Sequence, residues 1–447
     1  MNEAMRPKPA ASARKSARPR SPARASAPAT RPADLDDDAL LDLVQRQTFR
    51  YFWEFAHPVS GLARERSDLR PDYGLETVTT GGSGFGVMAI LAAAERGWVG
   101  RQDALEHLLR MVRFLLKADS YHGILPHFLN GETGQTIPFT RKDDGGDIVE
   151  TSFLLAGLLC ARQYFGRDQP EETELRARIN RLWEEAEWSW HARGEDVLYW
   201  HWSPNNGWSM NFEIRGWNEC LITYVLAASS PRYPIDADVY HRGWAGGRIF
   251  RNGRKFYGIR LPLGPDYGGP LFFAHYSFLG LDPRGLKDQY ADYWQQNVSH
   301  TLINREHCVR NPNHRKGYGP DCWGLTSSDD PWGYGRHAPD CDPGVISPTA
   351  ALSSFPYAPE HAIRALRHFY YDLGDRIWGD YGFVDAFSET HDWYANSYLA
   401  IDQGPIVAMI ENYRTGLLWQ LLRSCQEVQA GLRRLGFETP HLQHALG

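Results

Sequence analysis

Asp143-Asp144-Gly145-Gly146-Asp147-Ile148-Val149-Glu150 sets four carboxylates and two glycines directly ahead of the apolar run 151–164. In that run Leu154, Leu155, Leu158, Leu159 and Ala161 recur at helical spacing, which predicts a helix. Gly145 and Gly146 resist continuing it backwards, so the acids fall at its N-terminus. Asp147 and Glu150, three apart, then share one face of the first turn. One reading is a capping box, with Asp147 at the N-cap and Glu150 at N3 satisfying free backbone N–H groups. Four acids exceed what a cap needs, however, and a second junction, Arg215-Gly216-Trp217-Asn218-Glu219, opens another apolar stretch.

Working outward, the same pattern returns loosely along the chain: a loop of Gly, acids and aromatics, a helix of small and apolar residues, then a more polar amphipathic helix. The lead-ins are Thr79-Thr80-Gly81-Gly82-Ser83-Gly84, Gly145-Gly146, Arg215-Gly216, Tyr267-Gly268-Gly269-Pro270, Pro343-Gly344 with Ser347-Pro348, and Asp402-Gln403-Gly404-Pro405. A first helix is expected from Asp36 to Phe55, capped by Asp34, and a last one from Cys425 to Leu435. Six small-residue helices, each paired with a polar one, predict an all-α (α/α)6 barrel formed by residues 34–447. In it the inner N-termini meet at one end and distant acids converge. Two hairpins interrupt the helices: Val197 to Phe212 turning at Asn206-Gly207, and Arg248 to Leu261 turning at Asn252-Gly253.

Residues 1–33 hold eight Lys or Arg, six Pro and one acid, Glu3, and are expected to form a disordered basic tail. The rest of the chain then carries a net charge of about −13, which disfavours nucleic acid as a partner and favours a neutral substrate. No stretch has signal-peptide or membrane-spanning length. The cytoplasm is the default location, or the periplasm or exterior if the true start lies elsewhere; a monomer is the default assembly. The composition is rich in rings, with 16 Trp, 22 Tyr and 20 Phe, many beside Gly, Pro and Asn in loops, where exposed faces suit stacking on sugars. Cys308, Cys322 and Cys341 lie near His307, His314 and His337. Their spacing matches no zinc pattern, and a disulfide is the better expectation there.

Hydrolysis of a glycosidic bond needs two carboxyl groups, one protonated and one ionised. Asp147 and Glu150 at one helix start and Glu219 at another could supply them. The stretches TVTTGGSGFG (77–86), DIVETSFLLAGLL (147–159), WGLTSSDDP (323–331), SPTAALSSFPYAPE (347–360), YGFVDAFS (381–388) and IDQGPIVAMIENYRTGLLW (401–419) resemble the bacterial glucoamylase-like family. That family includes endo-β-1,2-glucanases and is related to the transglycosylase region of cyclic β-1,2-glucan synthases. The resemblance runs from about Leu40 to Leu422. It implies an (α/α)6 barrel, a β-1,2-linked glucose oligomer or polymer as partner, no metal and no organic cofactor. It also implies Glu150 as general acid, Glu219 as base or nucleophile and Asp147 as orienting partner, with Trp217, Tyr318, Trp323, Asp402, Gln403 and Glu411 contacting substrate. Trp217 and Trp323 read equally well as core, and Glu411 as an ion-pair partner of Arg414. Many relatives carry an export signal that is not legible here.

The favoured expectation is an endo-type β-1,2-glucan hydrolase. The alternatives are a transglycosylase or exo-acting glycosidase on the same barrel, a non-catalytic glucan-binding protein, and an epimerase or isomerase. The last needs a His-centred proton shuttle, for which His275 and His361 are the candidates.

Overall fold

The computed structural model describes residues 31–68 and 74–442. Most of the expected basic tail lies outside the described residues. The chain divides at Leu35/Asp36, and every element below belongs to the second unit. Its helices are α1 (Asp37–Trp53), α2 (Thr80–Glu95), α3 (Arg101–Leu115), α4 (Ile148–Tyr164), α5 (Pro170–Glu185), α6 (Leu221–Ser229), α7 (Tyr293–Arg310), α8 (Pro348–Leu352), α9 (Pro359–Arg367), α10 (Gly374–Ile377), α11 (Ala400–Arg414), α12 (Leu417–Arg423) and α13 (Gln426–Arg434). The fold is mostly helical, and its strands are short antiparallel pairs.

Two classes of helix separate by composition. α2, α4, α6 and α8 are buried on nearly every face, as is α11 except at its ends. They are mostly small and apolar, the composition expected of an enclosed helix, with buried carboxyls at Glu150 in α4 and at Asp402 and Glu411 in α11. α3, α5, α9 and α13 bury one stripe and expose charge on the other. The enclosed helices pack in succession: α2 on α4, α4 on α6, α6 on the 3₁₀ turn Tyr276–Leu279, α8 on α11, and α11 back on α2. Glycine sets the tightest of these crossings. A Cβ on Gly84 would lie 2.2 Å from the Phe153 carbonyl oxygen, and one on Gly157 2.2 Å from that of Gly84. The α2 and α4 backbones therefore touch.

Several boundaries differ from expectation. Asp36, not Asp34, caps α1, its Oδ1 accepting from Ala39 N at 2.8 Å. α2 starts at Thr80, so Gly81, Gly82 and Gly84 are helical rather than leading in; packing against α4 overrides their low propensity. α6 starts at Leu221, leaving Trp217 to Cys220 in a turn. The fourth inner helix is replaced by two 3₁₀ turns, Leu271–Ala274 and Tyr276–Leu279. α11 starts at Ala400 and holds Asp402, Gln403, Gly404 and Pro405 inside it.

The strands that matter for the site are β1 (Thr77–Thr79), β2 (Phe128–Asn130), β3 (Thr136–Ile137), β4 (Gly146–Asp147), β5 (His201–Trp202), β6 (Lys255–Phe256), β7 (Ile259–Arg260), β8 (Ser328–Asp330) and β9 (Gly333–Gly335). β1, β2 and β3 form one sheet. The first expected hairpin forms only in part. Its arms meet at Tyr199 and Glu213, and Ser203 bridges Gly207 around the Asn-Gly turn. β5, however, leaves its expected partner to pair with β4, Gly146 opposite Trp202 and Asp147 opposite His201. The second hairpin turns at Tyr257-Gly258, not Asn252-Gly253. Both turn residues have positive φ, 53° and 86°, and β6 pairs with β7, as a primed two-residue turn requires.

The α2–α4 crossing makes a direct prediction. Gly84→Ala is expected to cost about 3 kcal/mol, the upper end for overpacking, whereas Gly166→Ala, where a Cβ meets nothing nearer than 3.6 Å, leaves stability within about 0.5 kcal/mol. Chemical-denaturation midpoints of the two variants measure the difference.

Candidate active site

Glu150 lies in the first turn of α4, yet its carboxylate serves the neighbouring helix. Oε2 accepts from Gly81 N at 2.7 Å and from Thr79 Oγ1 at 3.5 Å. Thr79 is the N-cap residue of α2 and makes no side-chain cap bond of its own. Glu150 thus occupies the anion position at the α2 N-terminus, where free N–H groups and the helix dipole favour negative charge. Burial and the carboxylates of Asp147 and Asp143 push its pKa up against His127 and the Gly81 N–H, and the net direction is upward.

Asp147 is the N-cap of α4. Its Oδ1 accepts from Val149 N at 2.9 Å and Glu150 N at 3.0 Å, so the capping expectation holds on this side. The reciprocal half of the box does not form, because Asp147 N donates to Leu125 O and Glu150 turns to α2. The second oxygen, Oδ2, lies 3.0 Å from His127 Nδ1 and 3.7 Å from His201 Nδ1. His201 Nδ1 is also 3.2 Å from Asp143 Oδ1, and His127 Nε2 is 4.0 Å from Glu150 Oε1. Burial opposes charge on His127, but Glu150, Asp147 and Asp143 outweigh it and raise its pKa to about 9. Burial likewise opposes charge on Asp147, and the His127 bond with the His201 field holds it below the usual carboxylate range. The exposed ring of Phe139 stacks on His127 at 4.2 Å.

Glu219 stands in the turn before α6, two residues ahead of it. Ser277 Oγ donates to its carbonyl and accepts from Ile222 N, while Asn218 Oδ1 accepts from Cys220 N and Trp244 Nε1. The turn is fixed by side chains from three segments. The carboxyl is recessed and has no ion-pair partner within reach among the described residues. Burial, then the charges of Glu150 and Asp147, raise its pKa to about 7. The structure thus brings the three predicted acids into one electrostatic group.

A second set of carboxyls adjoins it. Asp385 stands beside Asp402 and opposes its ionisation, which favours a proton on Asp402. Burial and Asp385 drive Asp402 well above the carboxylate range, and burial and Asp329 raise Asp385 to about 7. Asp385 Oδ2 accepts from Asp329 N at 2.7 Å, and Asp329 binds Arg66 Nη2 through both oxygens at 2.9 and 3.1 Å. Glu65, beside Arg66, is raised by burial to about 7. Tyr276 links the two sets: its hydroxyl lies 3.5 Å from Asp402 Oδ1, and it interacts electrostatically with Glu219. Its ring packs on Phe85 and Phe153, which form the floor. Tyr334 in β9, half exposed, interacts electrostatically with Asp402, Asp385 and Asp329, and exposed Trp332 in the β8–β9 turn packs against His391. The sequence reading singled out Asp402 alone of these acids. Asp329 and Asp385 lay in the quoted stretches 323–331 and 381–388, but only the fold shows that they converge.

The other predicted contacts sit elsewhere. Trp217 is core, stacked on Phe278 and Tyr293. Trp323 is fully buried, its Nε1 directed at His361 O. Tyr318 donates to Asp342 Oδ1 at 2.8 Å, within a network that also holds His307. Gln403 donates to the Tyr381 and Phe383 carbonyls. Glu411 pairs with Arg96 Nε at 2.5 Å rather than with Arg414, far along α11 from Asp402. His275 is held neutral by burial, its pKa lowered to about 3, and contacts Ser354 Oγ, so it has no acid to complete a proton shuttle. All six cysteines are free thiols, so no disulfide joins Cys308, Cys322 and Cys341. Ligand atoms of His127, Asp143 and Asp147 fall within 4.8 Å of one another; the His127–Asp147 hydrogen bond accounts for that grouping without an ion.

The Glycoamylase family model matches residues 211–426. An exo β-1,2-glucooligosaccharide sophorohydrolase (non-reducing end) of Parabacteroides distasonis is 45% identical over 423 residues, covering 90% of this chain and 58% of the relative. The chain thus spans little more than half of that curated protein. The structure of an endo-β-1,2-glucanase from Chitinophaga pinensis with sophorotriose and glucose is 56% identical and superposes with a TM-score of 0.90, covering 92% of this chain and 100% of that one. A β-1,2-glucanase structure from Parabacteroides distasonis is 44% identical with a TM-score of 0.88, covering 90% and 60% of the two chains. At this identity and coverage, the chain belongs to the glucoamylase-like family of glycoside hydrolases that contains these β-1,2-glucanases.

Proposed function

We propose that this chain is an (α/α)6-barrel hydrolase that cleaves β-1,2-linked glucan internally, with Glu219 as general acid and Glu150 as the base that activates water. The observation that carries the reading is the contrast between the two acids. Glu219 has no cation beside it and holds its proton near neutral pH. Burial raises both carboxyls, but Glu150 also receives a backbone N–H and faces the His127 cation, which oppose that shift and favour its ionised form. Two neighbouring carboxyls with unlike partners, one facing a cation and an N–H and one enclosed without them, suit the base and the acid of a glycosidase. The roles are therefore the reverse of those the family resemblance implies. Glu219 passes its proton to the glycosidic oxygen as the C1–O bond breaks, and water attacking C1 loses a proton to Glu150. Asp147 holds His127 in place beside Glu150. Internal cleavage is supported by the Chitinophaga endo-glucanase, which this chain covers in full.

A second reading takes the base from the Asp385–Asp402 pair, because the two carboxyls stand together and Tyr276 connects Asp402 with Glu219.

Product analysis on linear β-1,2-glucan, with β-1,3-glucan, β-1,4-glucan and starch alongside, tests the function. The expected result is a ladder of oligosaccharides from the β-1,2-polymer only, lost by about 10²–10⁴ in Glu150→Gln. Release of sophorose alone would instead mark exo action. Azide added to Glu150→Ala and Asp402→Ala separates the two bases: rescue of the first supports Glu150, rescue of only the second supports the aspartate pair.

The pH dependence has a definite sign. A general acid acts while protonated, so kcat/KM is expected to fall as pH rises through about 7, the Glu219 value. His127 stays charged up to about 9 and favours ionised Asp147 and Glu150. His127→Asn is expected to move the acidic limb upward by about one pH unit, narrowing the profile from below. An unchanged acidic limb would remove His127 from the charge balance.

A further inference from the structure

The two residues of β5 face opposite ways, as neighbours on a strand must. His201 turns to Asp143 and Asp147. Trp202 turns away, into a cluster with Tyr121, His122 and Trp190 at ring separations of 6.2, 5.3 and 6.4 Å. Trp190 stacks on His122 at 4.0 Å, is 39% exposed and approaches Trp208 at 6.2 Å. Ser189, Trp190, Arg193, Gly194 and Trp208 line an open groove of about 420 Å³, within the range that ligand sites occupy. The groove shares a ribbon with the catalytic acids but lies on its outer side.

The lining specifies the ligand chemistry. Two indoles offer flat apolar faces, and Ser189 offers a hydroxyl. The Arg193 guanidinium lies over the Tyr199 and Trp208 rings, donates to Asn211 Oδ1 at 2.8 Å and has Glu195 at 3.9 Å. Its charge is balanced locally, which disfavours an anionic ligand, while its remaining N–H groups suit hydroxyls. Aromatic faces beside such donors match the alternating C–H and O–H surfaces of a pyranose.

We infer that the Trp190–Trp208 groove is a second carbohydrate-binding site, which holds a distant segment of the same neutral glucan chain whose cleavage occurs on the inner side of the ribbon. This rests on the glucanase reading above. A chain held at both places is tethered, so the groove raises the effective concentration of polymer at the acids and contributes nothing for oligosaccharides too short to reach it.

The test compares wild type, Trp190→Ala and Trp208→Ala, all checked for an unchanged thermal midpoint, on long β-1,2-glucan and on its tetrasaccharide. Migration in native gels with and without the polymer is measured as well. The expected result is a fall of about tenfold in polymer kcat/KM through a higher KM, loss of most of the gel retardation, and tetrasaccharide turnover within about twofold of wild type. Equal kinetics and equal retardation in both variants would overturn the site, as would parallel losses on both substrates. Wild-type turnover reports separately on the glucanase reading: if neither polymer nor tetrasaccharide is cleaved while polymer still retards the protein through Trp190, the groove stands and the hydrolytic assignment fails.

Discussion

The contact between α2 and α4 is the constraint on which the rest of the site depends. Gly84 and Gly157 let the two backbones touch, and that approach carries Gly81 N onto the Glu150 carboxylate. A Cβ at Gly81 would come within 2.5 Å of the same oxygen, so the small residues of α2 serve packing and chemistry together. One carboxylate then replaces the missing N-cap of a neighbouring helix and becomes a charge fixed in place. That position contributes to the His127 cation and, after burial, to the raised Glu219, while His127 and His201 hold Asp147 low.

The arrangement also explains why acids accumulate without tearing the site apart. Two imidazoles, one guanidinium and two helix N-termini face the carboxyls, and the remainder are kept neutral by burial. Arg66 binds Asp329 directly, while Asp385 and Asp402 have burial and neighbouring carboxylates raising both. Neutral carboxyls beside ionised ones suit a ligand that is itself uncharged and rich in hydroxyl groups, since both forms bond to hydroxyls.

Much of this was legible in the chain. The acids before α4, the Gly145-Gly146 lead-in and the largely apolar enclosed helices follow from local pattern, and Asp147 is the cap its position suggested. What failed had physical reasons. Gly81 and Gly82 read as loop because propensity ignores the α4 contact that makes them helical. β5 read as half of a local hairpin, whereas its partner is β4, more than fifty residues away in sequence. Trp323 and Glu411 read as ligand contacts, yet one fills the core and the other neutralises Arg96. Asp329 and Asp385 gave no periodic signal, because acids on separate loops become a site only when the inner helices converge.

The most direct test of the central claim separates proton donation from every other role of Glu219. Glu219→Gln would be assayed on linear β-1,2-glucan and on an aryl β-sophoroside whose phenolate leaves without a proton. The account predicts a loss of about 10³ in kcat on the polymer with the aryl substrate kept within about tenfold of wild type. Equal losses on both substrates, or none on the polymer, would contradict it.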